Sequence, residues 1–266
     1  MSVAVIQFPG SNCEYETLRA LRSCGIDATI ISWNINEDSA LKYKAFVLPG
    51  GFSFQDRVRA GVVSSKLPIL STIKQKASEG VPVLGICNGC QILAESGILP
   101  DFSTDTSLSH MGLAPNMKEN KAHGFVCDWV YVKIKNPQSS IFTKYFNEED
   151  VIPIQINHGE GNFKFTDKET VSQAQGTQLV YCTDAGEVSV SYPTNPNGSD
   201  LNIAGLCNKQ GNVLAMMPHP ERGVFWYQIP RYLNHADAQK RRNSELLSGP
   251  WKKMFESLRD HLEETA

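Results

Sequence analysis

Through residue 95 the chain alternates short apolar runs with amphipathic helical stretches, and this rhythm limits the fold more than any other feature. Residues 3–8, 27–33, 45–48 and the run ending at Ile86 read as strands. Between them lie turn and helix signals. Glu14 and Glu16 suit a helix first turn after a Ser11 or Asn12 cap, Leu18, Ala20 and Leu21 form an apolar stripe, and Gly25 is a stop. A second helix is predicted over 68–78, ended by Gly80. Strands joined through helices run parallel and need cover on both faces. Ligand sites in such sheets form outside the carboxyl ends of the strands.

After Pro100 the rhythm changes. Residues 104–121 are polar and irregular. Residues 125–134, 151–157, 163–165 and 178–183 then read as strands without helices between them. Residues 201–207 and 213–217 read as a hairpin across Asn208-Lys-Gln-Gly-Asn212. The expected architecture is α/β: a flavodoxin-like, mostly parallel sheet with an antiparallel extension. No linker interrupts it, so residues 1–266 are expected to form one domain. A closing helix over 250–264 carries Trp251, Met254, Phe255, Leu258 and Leu262 at helical spacing, which suits core packing.

Composition narrows the class. With 41% hydrophobic and 20% charged residues the chain is an ordinary globular one, and a formal net charge of −3 offers nothing to nucleic acid or an anionic membrane. The N-terminal run lacks the basic flank of a signal peptide, and no apolar run reaches membrane-spanning length. Seven cysteines without framework spacing point to a reducing cytoplasm.

One cysteine is placed for chemistry. Cys87 follows Val81-Pro-Val-Leu-Gly-Ile86 and precedes a helix pattern starting at Asn88, so it sits where strand turns into helix. That is the geometry of a nucleophile elbow, with unpaired helix N–H groups beside it to stabilise a thiolate or an oxyanion. Gly85 and Gly89 flank it, as a tight turn requires. Taken locally, three readings stand level: a catalytic nucleophile, a buried small hydrophobe, and a thiol redox pair with Cys90 in Cys87-Asn-Gly-Cys90. A zinc site is disfavoured, since no second C-x-x-C or histidine pair completes one. Cys13 allows the same choices and is assigned a structural role, because no histidine follows nearby. Pro49-Gly-Gly51 ends another predicted strand and could face Cys87, its glycines admitting close backbone approach; a plain turn is the alternative.

A base for Cys87 comes late in the chain. In Met217-Pro-His-Pro-Glu-Arg222 the prolines keep Met217 and His219 out of a helix. In an extended segment residues two apart point the same way, so Glu221 can orient the His219 ring. Nucleophile, base and acid then have the logic of a triad.

Together these residues resemble the class I, triad-type glutamine amidotransferases. Gly85-Ile-Cys87-Asn-Gly-Cys-Gln91 is similar to their glutaminase elbow, His219-Pro-Glu221 to its partner motif, and Pro49-Gly-Gly51 to the oxyanion strand. Within that group, Gln7-Phe-Pro-Gly-Ser-Asn-Cys13, Pro49-Gly-Gly-Phe-Ser53, Asn157-His-Gly-Glu-Gly161, Asn195-Pro-Asn-Gly-Ser199 and Met216-Met-Pro-His-Pro-Glu-Arg222 resemble the glutaminase family of phosphoribosylformylglycinamidine synthase, in order over residues 7 to 222. The resemblance implies that Cys87 attacks the side-chain amide of glutamine, His219 shuttles the proton and Glu221 holds the ring. It implies an oxyanion site of backbone N–H groups at Gly51, beside Gly50, and at Asn88. It places Gln91 in the glutamine pocket and His158, Gly159 and Glu160 around the α-amino and α-carboxylate groups. It also implies ammonia transfer to a synthetase subunit of de novo purine biosynthesis, with a small third subunit as a further expected partner. No metal or cofactor is expected in this chain. It has no Gly-x4-Gly-Lys-Ser/Thr loop, so ATP and Mg²⁺ are expected on the synthetase.

The sequence departs from the family in two places. Gln55 stands where the family usually has Gly in Gly-Gly-Phe-Ser-Tyr-Gly-Asp, and a non-glycine resists positive φ, so the loop after the oxyanion strand is expected to change shape. Cys90 stands where many relatives carry Phe. Residues 227–249, with Lys240-Arg-Arg242, match no motif and read as a solvated face or a docking contact. Outside the family, a glutaminase of another pathway, a thiol redox protein or a non-catalytic binding module are the competing functions.

Overall fold

The protein's structure, a computed structural model, describes residues 2–101, 111–167, 176–233 and 248–265. In the first half, strands β1 (Ser2–Gln7), β2 (Asp27–Ser32), β3 (Ala45–Leu48) and β4 (Val83–Ile86) alternate with helices α1 (Glu14–Ser23), α2 (Glu37–Leu41), α3 (Pro68–Ser78) and α4 (Asn88–Glu95). The short α2 was not predicted. It has five residues, too few for a periodic stripe, and starts where the Asn36 side chain accepts from Ser39 N at 2.8 Å.

The second half holds β5 (Met111–Ala114), β6 (Met117–Lys118), β7 (Lys121–Ala122), β8 (Val126–Ile134), β9 (Val151–His158), β10 (Asn162–Phe165), β11 (Thr177–Cys182), β12 (Ile203–Cys207) and β13 (Val213–Met216), followed by helix α5 (Lys252–Glu264). One nine-stranded sheet runs in the order β2-β1-β3-β4-β13-β12-β11-β8-β9. The pairs from β2 through β13 are parallel, the flavodoxin-like 2-1-3-4-5 order with β13 as fifth strand. The pairs from β13 through β9 are antiparallel, which is the expected extension. Buried apolar residues of both halves belong to one core that also takes in Trp251, Met254, Phe255, Leu258 and Leu262. No helix among the described residues is long and apolar enough to cross a membrane.

Three expectations are corrected. Residues 163–165 do not extend the main sheet: β10 pairs with β5 in a separate two-stranded sheet. Ser199 Oγ and Asp200 Oδ2 accept from Phe163 N and Phe165 N, using up the donors a main-sheet ladder would need. For the same reason part of 104–121 is regular, since β5 lies within it. Third, neither Ser11 nor Asn12 caps α1, whose cap position is Cys13, with no side-chain capping bond. Ser11 Oγ instead accepts from Phe8 N, and Asn12 Oδ1 accepts from the Cys13 thiol. The basic cluster at Lys240, Arg241 and Arg242 lies outside the described residues.

Candidate active site

Four neighbouring strands deliver the site from their carboxyl ends. β1 leads into Cys13, β3 into Pro49-Gly50-Gly51, β4 into Cys87, and β13 into His219. The parallel arrangement is what gathers residues so far apart in sequence.

Cys87 is the turn itself. Its backbone sits at φ 52°, ψ −105°, outside both the helical and the extended regions. Its carbonyl accepts the first helical bond from Gln91 N at 3.1 Å, so α4 begins at once. Such a turn brings helix and strand so close that only glycine fits alongside. A Cβ on Gly89 would lie 1.9 Å from Leu48 O, and one on Gly85 would lie 2.5 Å from Leu93 Cδ1. The Cys87 thiol donates to Asn157 O at 3.5 Å, and its side chain is buried beneath the β9 end.

Gly50 locates the reacting groups with respect to one another. The position its Cβ would occupy lies 2.7 Å from His219 Cε1, 3.0 Å from Cys13 Sγ and 3.4 Å from Cys87 Cβ. Nucleophile, base and a second thiol thus share the space that this missing side chain leaves open. The following residue, Gly51, is stitched by an isolated bridge to Ser11.

His219 is fixed from several directions. Its Nδ1 donates to Glu221 Oε1 at 2.6 Å, with both side chains fully buried. Its backbone N–H donates to Gln155 O at 2.8 Å, holding the Pro-bracketed segment against β9. Nε2 is buried and makes no fully formed hydrogen bond. Burial alone would drive the pKa of the ring down. The Glu221 carboxylate, with help from the Cys87 and Cys13 sulfurs, outweighs that and holds it well above the ordinary histidine value. The site therefore favours an imidazolium beside Cys87.

The remaining expected residues lie on α4, at the end of β9 and just beyond it. Gln91 is buried with both ends of its amide committed: Oε1 accepts from Asn88 Nδ2 at 2.9 Å, and Nε2 donates to Glu160 O at 2.7 Å. Asn88 Oδ1 accepts from Ser53 N at 3.2 Å, joining the elbow to the loop beyond the oxyanion strand. Glu160 Oε2 accepts from Ala60 N at 3.2 Å. Around Gly159 the chain faces Phe125, whose ring also meets the exposed Phe52 at 6.0 Å. His158 is buried, and burial pushes its pKa down to about 3, so the ring is neutral.

Several residues that matter here had no site role assigned from the sequence, although Asn197, Ser199 and Cys13 lie within its motifs. Asn116, within the stretch read as irregular, is the hub of the 157–161 loop. Its Nδ2 donates to His158 O and Gly124 O, while its Oδ1 accepts from Gly161 N and meets His158 Nδ1. Asn197 and Ser199 of the Asn-Pro-Asn-Gly-Ser motif hold Gly161 O from behind. Cys13 was assigned a structural role for want of a nearby histidine, yet the fold brings His219 to it from the other end of the chain.

Cys90 is wholly buried, and burial pushes its thiol well above the ordinary value, so it is a core cysteine and not an accessible redox partner. Gln55, expected to resist positive φ, takes φ 61° between Phe54 at 52° and Asp56 at 52°. The loop is thus left-handed over three successive residues, and Gln55 bears the strain that a glycine would avoid. By donor type Cys13, Glu16, His219 and Glu221, all within 4.8 Å of one another, could hold a cation. The Arg222 guanidinium already sits among them, 3.3 Å from Cys13 Sγ and 2.7 Å from Glu16 Oε1.

The chain is similar to known proteins over most of its length. Residues 1–262 match the model of the CobB/CobQ-like glutamine amidotransferase domain. The chain is 42% identical to the phosphoribosylformylglycinamidine synthase subunit PurQ of Methanothrix thermoacetophila, over 99% of both chains. It is 39% identical to the subunit of the same name from Pyrococcus horikoshii, over 89% of this chain and 93% of that one. Its structure is similar to a chain of PurLQS from Thermotoga maritima, with a TM-score of 0.73 and 30% identity over 98% of each.

Proposed function

The chain belongs to the CobB/CobQ-like glutamine amidotransferase family, and from that we propose that it is the glutaminase subunit of a phosphoribosylformylglycinamidine synthase. It releases ammonia from glutamine through a Cys87 thioester. The observation that carries this reading is the convergence of Cys87, His219 and Gly50 at one point, with Glu221 locked on the imidazole.

The proximity of His219 to Cys87 supports the following course. His219 takes the Cys87 proton, and the sulfur attacks the side-chain amide carbon of glutamine. The tetrahedral oxyanion is met by the backbone N–H groups of Gly51 and Asn88, such donors typically lowering the barrier by roughly 3–4 kcal/mol each. His219 returns its proton to the departing nitrogen, ammonia leaves, and a γ-glutamyl thioester remains. Water then attacks, with His219 as base, to give glutamate and free Cys87. Throughout, Glu221 keeps Nδ1 protonated and stabilises the imidazolium. Gln91 shapes the pocket through its hold on Glu160, and Asn116 sets the loop of His158, Gly159 and Glu160 that receives the amino-acid end of glutamine.

Ammonia passes to a synthetase subunit, which carries the ATP and Mg²⁺ chemistry that converts formylglycinamide ribonucleotide to formylglycinamidine ribonucleotide, with a small third subunit in the complex. Such a complex works in the cytoplasm, where thiols stay reduced. A glutaminase running alone would waste glutamine, so activity is expected to rise when the partners bind.

The test is mass spectrometry after treatment of the complex with 6-diazo-5-oxonorleucine. One adduct at Cys87, blocked by excess glutamine and absent from Cys87→Ser, is the expected result. Labelling at Cys90 or Cys13 instead, or none at all, would overturn the assignment.

A further inference from the structure

We propose that Cys13 is a positioning residue of the glutaminase reaction: a second thiol that sets the His219 ring against Cys87 and references it to the oxyanion strand. This rests on the reading of Cys87 and His219 as nucleophile and base.

The placement is specific. Cys13 follows β1, the sheet neighbour of β3, and its own N–H donates to Gly50 O at 3.2 Å. Its sulfur faces the same small space as Cys87 Cβ and His219 Cε1. It also lies within 4.8 Å of a ring nitrogen of His219 and of a Glu221 carboxylate oxygen. The side chain is almost fully buried and held at both ends of its bonding capacity. The S–H donates to Asn12 Oδ1 at 3.2 Å, and the sulfur accepts from Arg222 Nη2 at 3.3 Å.

Arg222 completes the linkage. Its guanidinium donates to Glu16 on α1 and, at 3.1 Å, to Gln155 Oε1. The carbonyl of the same Gln155 accepts the backbone N–H of His219. Side chain and main chain of the base are therefore both referenced to one guanidinium, the former through the Cys13 sulfur. A packing residue alone would need none of these polar contacts.

The residue type suits the task. His219 changes charge twice per turnover, and Glu221 already supplies the carboxylate that steadies its imidazolium, so a second charge beside the ring would tip it too far toward one state. Burial pushes the Cys13 thiol up to about 11, so it is neutral in the working range and can face the ring in either state. A large polarisable sulfur also fills the ring's edge, which a methyl group would leave open.

The experiment uses the full chain with its synthetase partners, comparing wild type, Cys13→Ala, Cys13→Ser and Cys87→Ser by glutamate formation against pH. For Cys13→Ala, kcat is expected to fall about 10- to 100-fold, the range for small misplacement of a catalytic group, with KM for glutamine within twofold. Because Cys13 supports the His219 proton, the alkaline limb of the rate profile should move to lower pH. Cys13→Ser, which keeps a hydrogen-bonding group, should recover part of both effects. An unchanged kcat and alkaline limb in Cys13→Ala would overturn the proposal. So would a fall in kcat that tracks lost thermal stability, leaves the limb in place and is not relieved by serine, because that is packing alone. Activity surviving in Cys87→Ser would instead overturn the underlying nucleophile assignment.

Discussion

His219 Nδ1 and Glu221 Oε1 lie 2.6 Å apart, joined across a single proline and both shielded from solvent. The sequence reading of an extended segment holds only for His219: Pro220 opens a 3-10 turn over Pro220–Arg222, which brings Glu221 round to the ring, while His219 N–H is tied to Gln155 O of β9. A buried carboxylate so placed stabilises an imidazolium far more than it would in water. Glu221→Gln should lower kcat by about 10²- to 10⁴-fold, the range seen when the acid of a triad is neutralised. KM for glutamine should change little, since Glu221 does not touch substrate. Steady-state glutamate formation at several pH values tests this, and wild-type kcat in the variant would refute it.

Gly50→Ala should lower turnover by about 100-fold or more without unfolding the protein. The new methyl would stand 2.7 Å from His219 Cε1 and 3.4 Å from Cys87 Cβ. The ring must yield, and a displacement of about 1 Å can cost 100-fold in rate. Thermal melts paired with alkylation of Cys87 distinguish a displaced base from a collapsed fold.

Gln55→Gly should stabilise the protein by about 1 kcal/mol. Gln55 sits at φ 61° with an exposed side chain, so glycine removes backbone strain and loses little contact. The gain is partly offset by the greater freedom of glycine in the unfolded chain. Urea titration measures the balance, and a less stable variant would mean that the loop gains more from Gln55 than its backbone loses.

Stability should fall as pH rises from about 9 to about 11. Burial raises the thiols of Cys13, Cys182 and Cys207 from 9.0 to about 11 in the folded state. Between those limits the unfolded chain gives up these protons while the native state keeps them. The native state then binds more protons, and stability declines with pH by this linkage. Full development of three such shifts amounts to several kcal/mol, at roughly 1.4 kcal/mol per pKa unit. The urea midpoint followed from pH 8 to 11 tests the sign, and Cys182→Ala, remote from the active site, should blunt the slope.

Much of the fold was legible because its signals are local. The segments 45–48 and 68–78 match β3 and α3 to the residue, since an apolar run and a Pro-initiated amphipathic stretch need no distant partner to be recognised. The candidate triad was legible too, because Cys87 and His219-Pro-Glu221 each combine a reactive group with the backbone punctuation that exposes or aligns it. β10 was misplaced because pairing depends on where Ser199 and Asp200 present their oxygens, and no local pattern encodes that.

The sequence by itself determined the alternation of elements, the sharp turn at Cys87 and the extended, proline-bracketed base. All are consequences of short-range sterics and hydrophobic period. Only the tertiary structure decided which side chains meet. It set Cys13 beside the base, made Asn116 the support of the 157–161 loop, and committed Gln91 to holding Glu160. Those contacts join residues tens to hundreds of positions apart. The first exists because a parallel sheet brings the carboxyl ends of β1, β3, β4 and β13 together, and the other two because the antiparallel extension returns the loop after β9 to that end, facts of chain topology that no single stretch contains.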